Sequence, residues 1–187
     1  MKVEPTDIPD VLVLTPQQHL ANRGMFLEIF NDERYSALGI IGPWIQDNLS
    51  RSAKGVLRGL HFQYPSPQGK LVTALRGSAY DVAVDIRRQS PTFGRWVSQE
   101  LSDENRCQLW VPPGCAHGFL AQSDNTEIHY KCSQNPWVPE DEHVLRWDDA
   151  ELGIEWPMVP TQMNDRDRSA PSLTELDAVL SAASSNI

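Results

Sequence analysis

Short apolar runs separated by clusters of turn residues constrain this 187-residue chain more than any other feature of its sequence. In YDVAVDI at residues 80–86, every second side chain is apolar, and the positions between them include two aspartates. This period of two is typical of a strand with one apolar face and one face that carries carboxylates. Further runs occupy residues 71–75, 96–101, 107–111, 118–121 and 127–132. Many short strands at this spacing predict an all-β sandwich or closed barrel rather than alternating strands and helices.

Helix signals are confined to two peripheral segments. Asn31 is a suitable cap for a short helix that ends near Leu38. Ser172 precedes Glu175 by three residues, which is the capping-box spacing, and an apolar stripe then extends to Ala183. Residues from about 182 onward are small and polar, so we expect them to fray. With no internal repeat or low-complexity linker, residues 1–187 are predicted to form a single domain.

Charge and composition argue against several classes of function. A net charge of −9 disfavours a surface for nucleic acid or anionic membrane, because such surfaces need clustered Lys and Arg. No apolar run approaches the roughly 18 residues of a membrane span, and the acidic, proline-containing start is unlike a signal peptide. Three cysteines without a CxxC pair suit a reducing compartment. We therefore expect a cytoplasmic protein, which could still bind a small phosphorylated ligand.

Three segments are candidates for carrying chemistry. They are RGLHFQ at residues 58–63, QGKLV at 68–72 and PPGCAHGF at 112–119. Strict alternation would turn Arg58 and His61 of the first segment to opposite faces of a strand. Gly59 is therefore expected to mark a β-bulge that re-aims one of them.

Each of these polar side chains also has an ordinary structural interpretation. A single histidine such as His61 or His117 is more often a hydrogen-bonded structural or surface residue, and a single Lys70 more often keeps a strand edge soluble. Their combination favours proton transfer beside a ketone, which needs a base, a cation for the developing enolate and an acid that returns the proton. Tyr130 is the candidate acid, with a barrel-wall aromatic as its alternative interpretation.

The segments, in their order along the chain, resemble the dTDP-4-dehydrorhamnose 3,5-epimerase family. The matching phrases are QDN (46–48), VLRGLHFQ (56–63), QGKLV (68–72), YDVAVDIRRQSPTFGRW (80–96), LWVPPGCAHGFL (109–120), YK (130–131) and LRWDDAELGIEWP (145–157). The resemblance implies a cupin-like jelly roll with short peripheral helices, and a homodimer that exchanges its N-terminal segments. It implies epimerisation of dTDP-4-dehydro-6-deoxy-D-glucose at C3 and C5, to dTDP-4-dehydro-L-rhamnose, without metal or organic cofactor.

The resemblance also implies roles for individual residues. His61 is similar to the family's catalytic base, and Asp167 to the carboxylate that orients it, with Asp165 as the alternative. Lys70 is similar to the lysine that stabilises the enolate oxygen, and Tyr130 to the acid that protonates the opposite face.

Further positions match the family's substrate contacts. The implied substrate-binding residues are Arg23, Phe26, Glu28, Gln46, Asn48, Arg58, His117 and Trp137. Trp137 is suited to stacking on a base or sugar. The resemblance also implies that Asp85 lies near His117.

The sequence is also compatible with three other functions. One is a mono-epimerase that acts at C3 or C5 alone on a related dTDP, GDP or CDP keto-sugar. Another is a metal-dependent cupin, but Gln63 stands where such a protein would supply a second histidine, and residues 64–69 contain no acid. The last is a sugar-nucleotide binding module without turnover, which would not need a base, a lysine and an acid together.

Overall fold

The computed structural model describes residues 1–177, which form mostly antiparallel strands. The strands are β1 (Lys2–Pro5), β2 (Leu12–Thr15), β3 (Gln18–Ala21), β4 (Gly24–Leu27), β5 (Trp44–Ser52), β6 (Leu57–Gln63), β7 (Gly69–Arg76), β8 (Ser78–Asp85), β9 (Trp96–Ser102), β10 (Gln108–Val111), β11 (Cys115–Ala121), β12 (Thr126–Ser133) and β13 (Glu142–Val144). The α-helices are α1 (Asp32–Ser36) and α2 (Asp165–Arg168), residues 173–177 are also helical, and Pro139–Asp141 form a short 3-10 helix.

Two larger sheets share one apolar core. The six-stranded sheet has the order β1-β2-β10-β7-β12-β5, and the five-stranded sheet has the order β13-β6-β11-β8-β9. The main core cluster draws on both, with Val72 and Ile128 from the first sheet and Ala83 and Phe119 from the second. The two sheets therefore pack face to face, which confirms the predicted all-β jelly roll with short peripheral helices.

Strand β8 has the predicted alternation, and both of its faces are buried. Asp81 and Asp85 are fully buried on the face that points between the sheets. The opposite face, with Val82 and Val84, packs against the C-terminal segment that includes Leu145. That segment forms an outer layer over the five-stranded sheet, so neither face of β8 is left to solvent.

The peripheral helix signals are confirmed where the structure describes them. Asn31 caps α1 by accepting a hydrogen bond from the Arg34 backbone N–H at 3.1 Å. The Ser172 backbone N–H donates to Glu175 Oε2 at 2.8 Å, as the capping box predicts. The predicted continuation to Ala183 and the fraying expected from about residue 182 lie outside the described residues. Within residues 1–177, no helix is long and apolar enough to cross a membrane.

A β-bulge at Gly59 shapes the interior of the five-stranded sheet. His61 lies opposite His117 and Arg58 opposite Phe119, so β6 has one more residue than β11 between these pairs. Gly59 has φ +121°, and a Cβ at this position would lie 2.5 Å from the Cα of Gly118. The predicted bulge is confirmed, and it lets both Arg58 and His61 reach the same cavity.

Candidate active site

A cavity of about 320 Å³ opens between the two sheets. Its size is within the range usual for small-molecule sites. Eight of the residues implied by the family resemblance line it: Gln46, Asn48, Arg58, His61, Lys70, His117, Tyr130 and Trp137.

The polar lining comes from both sheets. His61 and His117 belong to β6 and β11 of the five-stranded sheet, whereas Lys70 and Tyr130 belong to β7 and β12 of the six-stranded sheet. A flat ligand between the sheets would therefore meet an imidazole on one side and a phenol on the other. This is the arrangement that removal of a proton from one face and its return to the other requires.

His61 is paired with a buried carboxylate. Its Nε2 lies 2.7 Å from Asp167 Oδ1, and Asp167 Oδ2 accepts a hydrogen bond from the Gly59 backbone N–H at 3.1 Å. Burial alone would raise the pKa of Asp167, but the hydrogen bonds from His61 and Gly59 hold that pKa below its ordinary value. Because an ionised carboxylate only accepts, it assigns the proton to Nε2 of the neutral ring and leaves Nδ1 as the basic nitrogen.

The position of the partner carboxylate follows from α2. Asn164 caps this helix by accepting a hydrogen bond from the Asp167 backbone N–H at 2.6 Å. Asp167 is then fully buried against β6, while Asp165 is exposed on the same turn. Of the two candidates, Asp167 is the one in contact with His61.

Lys70 lies beside the histidine. Its Nζ donates to the backbone carbonyl of His61 at 3.2 Å, which uses one of the three N–H donors of the ammonium. Burial lowers the pKa of Lys70, and the negative charges of Glu142 and Asp81 partly oppose that shift. The lysine therefore places its Nζ next to the candidate base in a poorly solvated site.

Tyr130 faces the same cavity from β12, opposite Asn48 of β5 and Val72 of β7. Burial raises the pKa of its phenol, and the nearby Arg58 guanidinium partly opposes that shift. The phenol is therefore protonated at neutral pH and can donate.

His117 is also paired with an aspartate, but with Asp81 rather than with Asp85. Its Nε2 lies 2.8 Å from Asp81 Oδ1. The Asp85 carboxylate instead accepts hydrogen bonds from Arg87 Nε at 2.9 Å and from Thr92 Oγ1 at 2.6 Å.

Polar groups surround the rest of the cavity. Gln46 Nε2 donates to Asn48 Oδ1 at 2.8 Å along the inner face of β5. Arg58 donates to Ser52 Oγ at 3.1 Å. Trp137, whose surface is 48% exposed, forms an aromatic wall. A cation, amides and one flat ring are suited to a polar ligand with an anionic part and a planar part.

Comparison with known proteins identifies the family of this chain. A family model described as dTDP-4-dehydrorhamnose 3,5-epimerase matches residues 5–175. The chain belongs to the dTDP-4-dehydrorhamnose 3,5-epimerase family.

Relatives match nearly the whole chain. A dTDP-4-dehydrorhamnose 3,5-epimerase from Pseudomonas aeruginosa is 45% identical over 179 residues, which cover 95% of this chain and 98% of that protein. The crystal structure of a dTDP-6-deoxy-D-glucose-3,5-epimerase from Legionella pneumophila, in complex with dTDP-4-keto-L-rhamnose, has a TM-score of 0.92 and 44% identity and covers 96% of both chains. A 3'-monoepimerase from Streptomyces bikiniensis, in complex with dTDP-quinovose, has a TM-score of 0.87 and 34% identity, covering 94% of this chain and 89% of that one.

Three residues that match family substrate contacts lie away from this cavity. Arg23 and Phe26 belong to the β3–β4 hairpin, and Glu28 follows it. Phe26 is 69% exposed, and Glu28 Oε1 accepts from Arg34 Nη1 at 2.7 Å. Within the described residues, β3 and β4 pair only with each other. The fold of one chain therefore does not bring these residues to the epimerase-family cavity.

Several residues that line the cavity had no role predicted from the sequence. Gln63 and Gln68 belong to the family phrases RGLHFQ and QGKLV, so their place in these motifs could have identified them. Glu142 and Asn164 had no such signal. Glu142 accepts from Arg166 beside Asp167, and Asn164 caps α2.

The described residues contain neither a disulfide nor a cluster of metal-ligand side chains. Cys107, Cys115 and Cys132 are unpaired. Among residues 1–177, no group of three or more His, Cys, Asp or Glu side chains is arranged to hold a metal ion.

Proposed function

We propose that this protein is an isomerase that converts dTDP-4-dehydro-6-deoxy-D-glucose to dTDP-4-dehydro-L-rhamnose by inverting C3 and C5 without a cofactor. The observation that carries the proposal is the His61–Asp167 pair at 2.7 Å, facing a cavity that Lys70 and Tyr130 line from the opposite sheet. Nearly full-length similarity to 3,5-epimerases supports the choice of substrate.

His61 is the proposed base. Its Nδ1 takes the proton from the ring carbon next to the C4 ketone, and the imidazolium that forms is stabilised by Asp167. The carboxylate is buried and its pKa is held low, so it stays ionised while the ring gains its charge.

Lys70 and Tyr130 complete the proposed cycle. The Lys70 ammonium stabilises the enolate oxygen more than the neutral ketone, which is the differential binding that accelerates a reaction. Tyr130 returns a proton to the carbon from the side of the six-stranded sheet, and protonation opposite to His61 inverts the centre. Exchange with solvent then removes the proton from His61 and reprotonates the Tyr130 phenolate before the second centre reacts.

The proposed assembly is a homodimer in which the β3–β4 hairpin of one subunit reaches the cavity of the other. The hairpin exposes Leu20 by 79% and Phe26 by 69%, and apolar side chains exposed together are typical of an interface. Exchange would bring Arg23, Phe26 and Glu28 to a substrate that they do not reach in their own chain. Light scattering should give twice the chain mass of 21.1 kDa.

Mixing two inactive variants tests the exchange directly. A dimer of His61→Ala and Arg23→Ala chains has one cavity with both native residues, so activity should reappear after mixing and refolding. Two variants that remain inactive together would contradict the exchange.

The proposed location is the cytoplasm, with a nucleotide-sugar as partner and neither nucleic acid nor membrane. The three free cysteines and the net charge of −9 support this assignment.

Incubation with the keto-sugar nucleotide in heavy water tests the proposed chemistry. Mass spectrometry should show two solvent deuterons per product, one from each inverted centre. The His61→Ala variant should incorporate none. The control is His129→Ala, which should behave as wild type because His129 lies on the outer face of β12 beside Asp47. Calorimetric affinity for the nucleotide without deuterium exchange would favour the binding module instead.

A mono-epimerase is the second candidate. The similarity to the 3'-monoepimerase from Streptomyces bikiniensis favours it, although at 34% identity rather than the 44–45% of the 3,5-epimerases. One deuteron per product in place of two would assign this function.

A further inference from the structure

One buried side chain holds the backbone on both sides of Trp137. Gln63 is only 6% exposed. Its Nε2 donates to the carbonyls of Pro136 at 3.1 Å and Ser66 at 3.2 Å, and its Oε1 accepts from the Val138 backbone N–H at 2.7 Å. These three hydrogen bonds of the amide go to two loops, and one of these loops carries Trp137.

A second buried amide secures the same loop. Gln68 is also 6% exposed, and its Nε2 donates to the Asn135 carbonyl at 2.7 Å. The Asn135 side chain donates in return to the Pro67 carbonyl at 2.7 Å. The backbone N–H of Gln134 donates to the Pro43 carbonyl at 2.8 Å. Residues 134–138 are thus attached to the main body of the fold at nearly every position.

Trp137 itself contributes nothing to this attachment. Within residues 1–177, no hydrogen bond holds its indole, and the side chain is half exposed at the cavity. A large aromatic ring offered to an open cavity is suited to stacking on a planar part of a ligand. Its position is set by the backbone, and the backbone is set by Gln63 and Gln68.

We call the hydrogen bonds of Gln63 and Gln68 to the backbone of residues 135–138 the clamp. The clamp also connects Trp137 to the candidate base. Gln63 follows His61 by two residues on β6, so their side chains emerge on the same face of the strand. The distance between the aromatic wall and the base is therefore determined by one short, hydrogen-bonded strand end. Holding both in place before the substrate arrives avoids an ordering cost on binding.

We infer that Gln63 is a positioning residue for substrate recognition, which places Trp137 as a fixed stacking wall for the nucleotide base at a set distance from His61. Gln68 has a supporting part in the same clamp. The inference rests on the proposed function, because it assumes a substrate with a planar base. Loss of the clamp should weaken binding and leave the proton-transfer step intact.

A double-mutant cycle of Gln63→Met and Trp137→Ala tests this inference. Each single variant should raise the KM for the keto-sugar nucleotide, and the Kd for dTDP measured by calorimetry, by about fivefold or more, with kcat within about twofold of wild type. In the Trp137→Ala background, Gln63→Met should change KM by less than about twofold, because the wall it positions is gone. The matched control is Gln99→Met on β9. It removes one hydrogen bond, from the Gln99 side-chain amide to the Glu100 carbonyl outside the cavity, and should leave KM unchanged.

Several results would overturn the inference. If the increases in KM caused by the two substitutions multiply in the double variant, Gln63 acts independently of Trp137. A Trp137→Ala variant with native KM and Kd would mean that the ring is no wall for the ligand. If Gln63→Met does not fold, Gln63→Glu replaces it in the same cycle, since it keeps the acceptor for Val138 and loses the donor to Pro136. A wild-type protein with neither turnover nor dTDP affinity would instead refute the proposed function. An active wild-type protein, with increases in KM that multiply in the double variant, would refute this inference alone.

Discussion

Replacing Asp167 by asparagine removes one charge from the centre of the site while keeping its shape. The Gly59 backbone N–H still needs an acceptor at 3.1 Å, so the asparagine oxygen is expected to face Gly59. Its NH₂ group then points at His61 Nε2, which must become an acceptor. The ring proton moves to Nδ1, the nitrogen that is proposed to remove the substrate proton.

The size of the effect follows from the lost interaction. A hydrogen bond that involves a charged partner contributes about 1.5–3 kcal/mol, and the imidazolium formed during proton removal would lose it. At the upper end this is a rate loss of roughly 100-fold, to which the wrong tautomer adds. We expect kcat to fall by at least about 100-fold. KM should stay within about threefold, because Asp167 lies behind His61 and does not line the cavity.

The assay is the rate of deuterium incorporation from heavy water, measured by mass spectrometry for Asp167→Asn and for the control Asp165→Asn. Asp165 is exposed on the same helical turn, so its loss should leave the rate unchanged. Native activity in Asp167→Asn, or an equal loss in Asp165→Asn, would refute the assignment of the dyad.

Three further predictions concern single side chains. Burial lowers the pKa of Lys70, so kcat should fall as pH rises through a value below the ordinary 10.5, and Lys70→Arg should move that fall upward in a pH–rate profile. Tyr130→Phe should lose deuterium at one centre at least, with dTDP affinity retained in calorimetry. Burial would raise the pKa of Asp85, but hydrogen bonds from Arg87, Ser90 and Thr92 lower it from 3.8 to about 2, which corresponds to roughly 2 kcal/mol of folding stability. That contribution is present above about pH 4 and is lost as pH falls through 2, so Asp85→Asn should lower the urea-unfolding free energy by about 2 kcal/mol at pH 7 and by much less at pH 2.

The strands were predictable because their signals are local. The alternation in residues 80–86 requires only neighbouring side chains, and β8 spans Ser78–Asp85. The bulge at Gly59 was predictable for the same reason, since strict alternation could not turn Arg58 and His61 to one cavity.

Pairings between residues far apart in the sequence were harder to predict. His61 and Asp167 are 106 residues apart, and in the sequence Asp165 was the alternative partner. Docking of α2 on β6 buries Asp167 and exposes Asp165. The Gln63 clamp is hidden in the same way, because its partner Pro136 lies 73 residues further along.

The sequence by itself determined the all-β pattern, the bulge, and the kinds of side chain that can move a proton. Only the tertiary structure decided which carboxylate each histidine meets. Asp81 and Asp85 are four residues apart on β8 and share one face, so alternation cannot distinguish them. Asp85 is occupied by Arg87, Ser90 and Thr92, and His117 therefore pairs with Asp81. Such competition between neighbours depends on distances in the folded chain, which a pattern of residues does not contain.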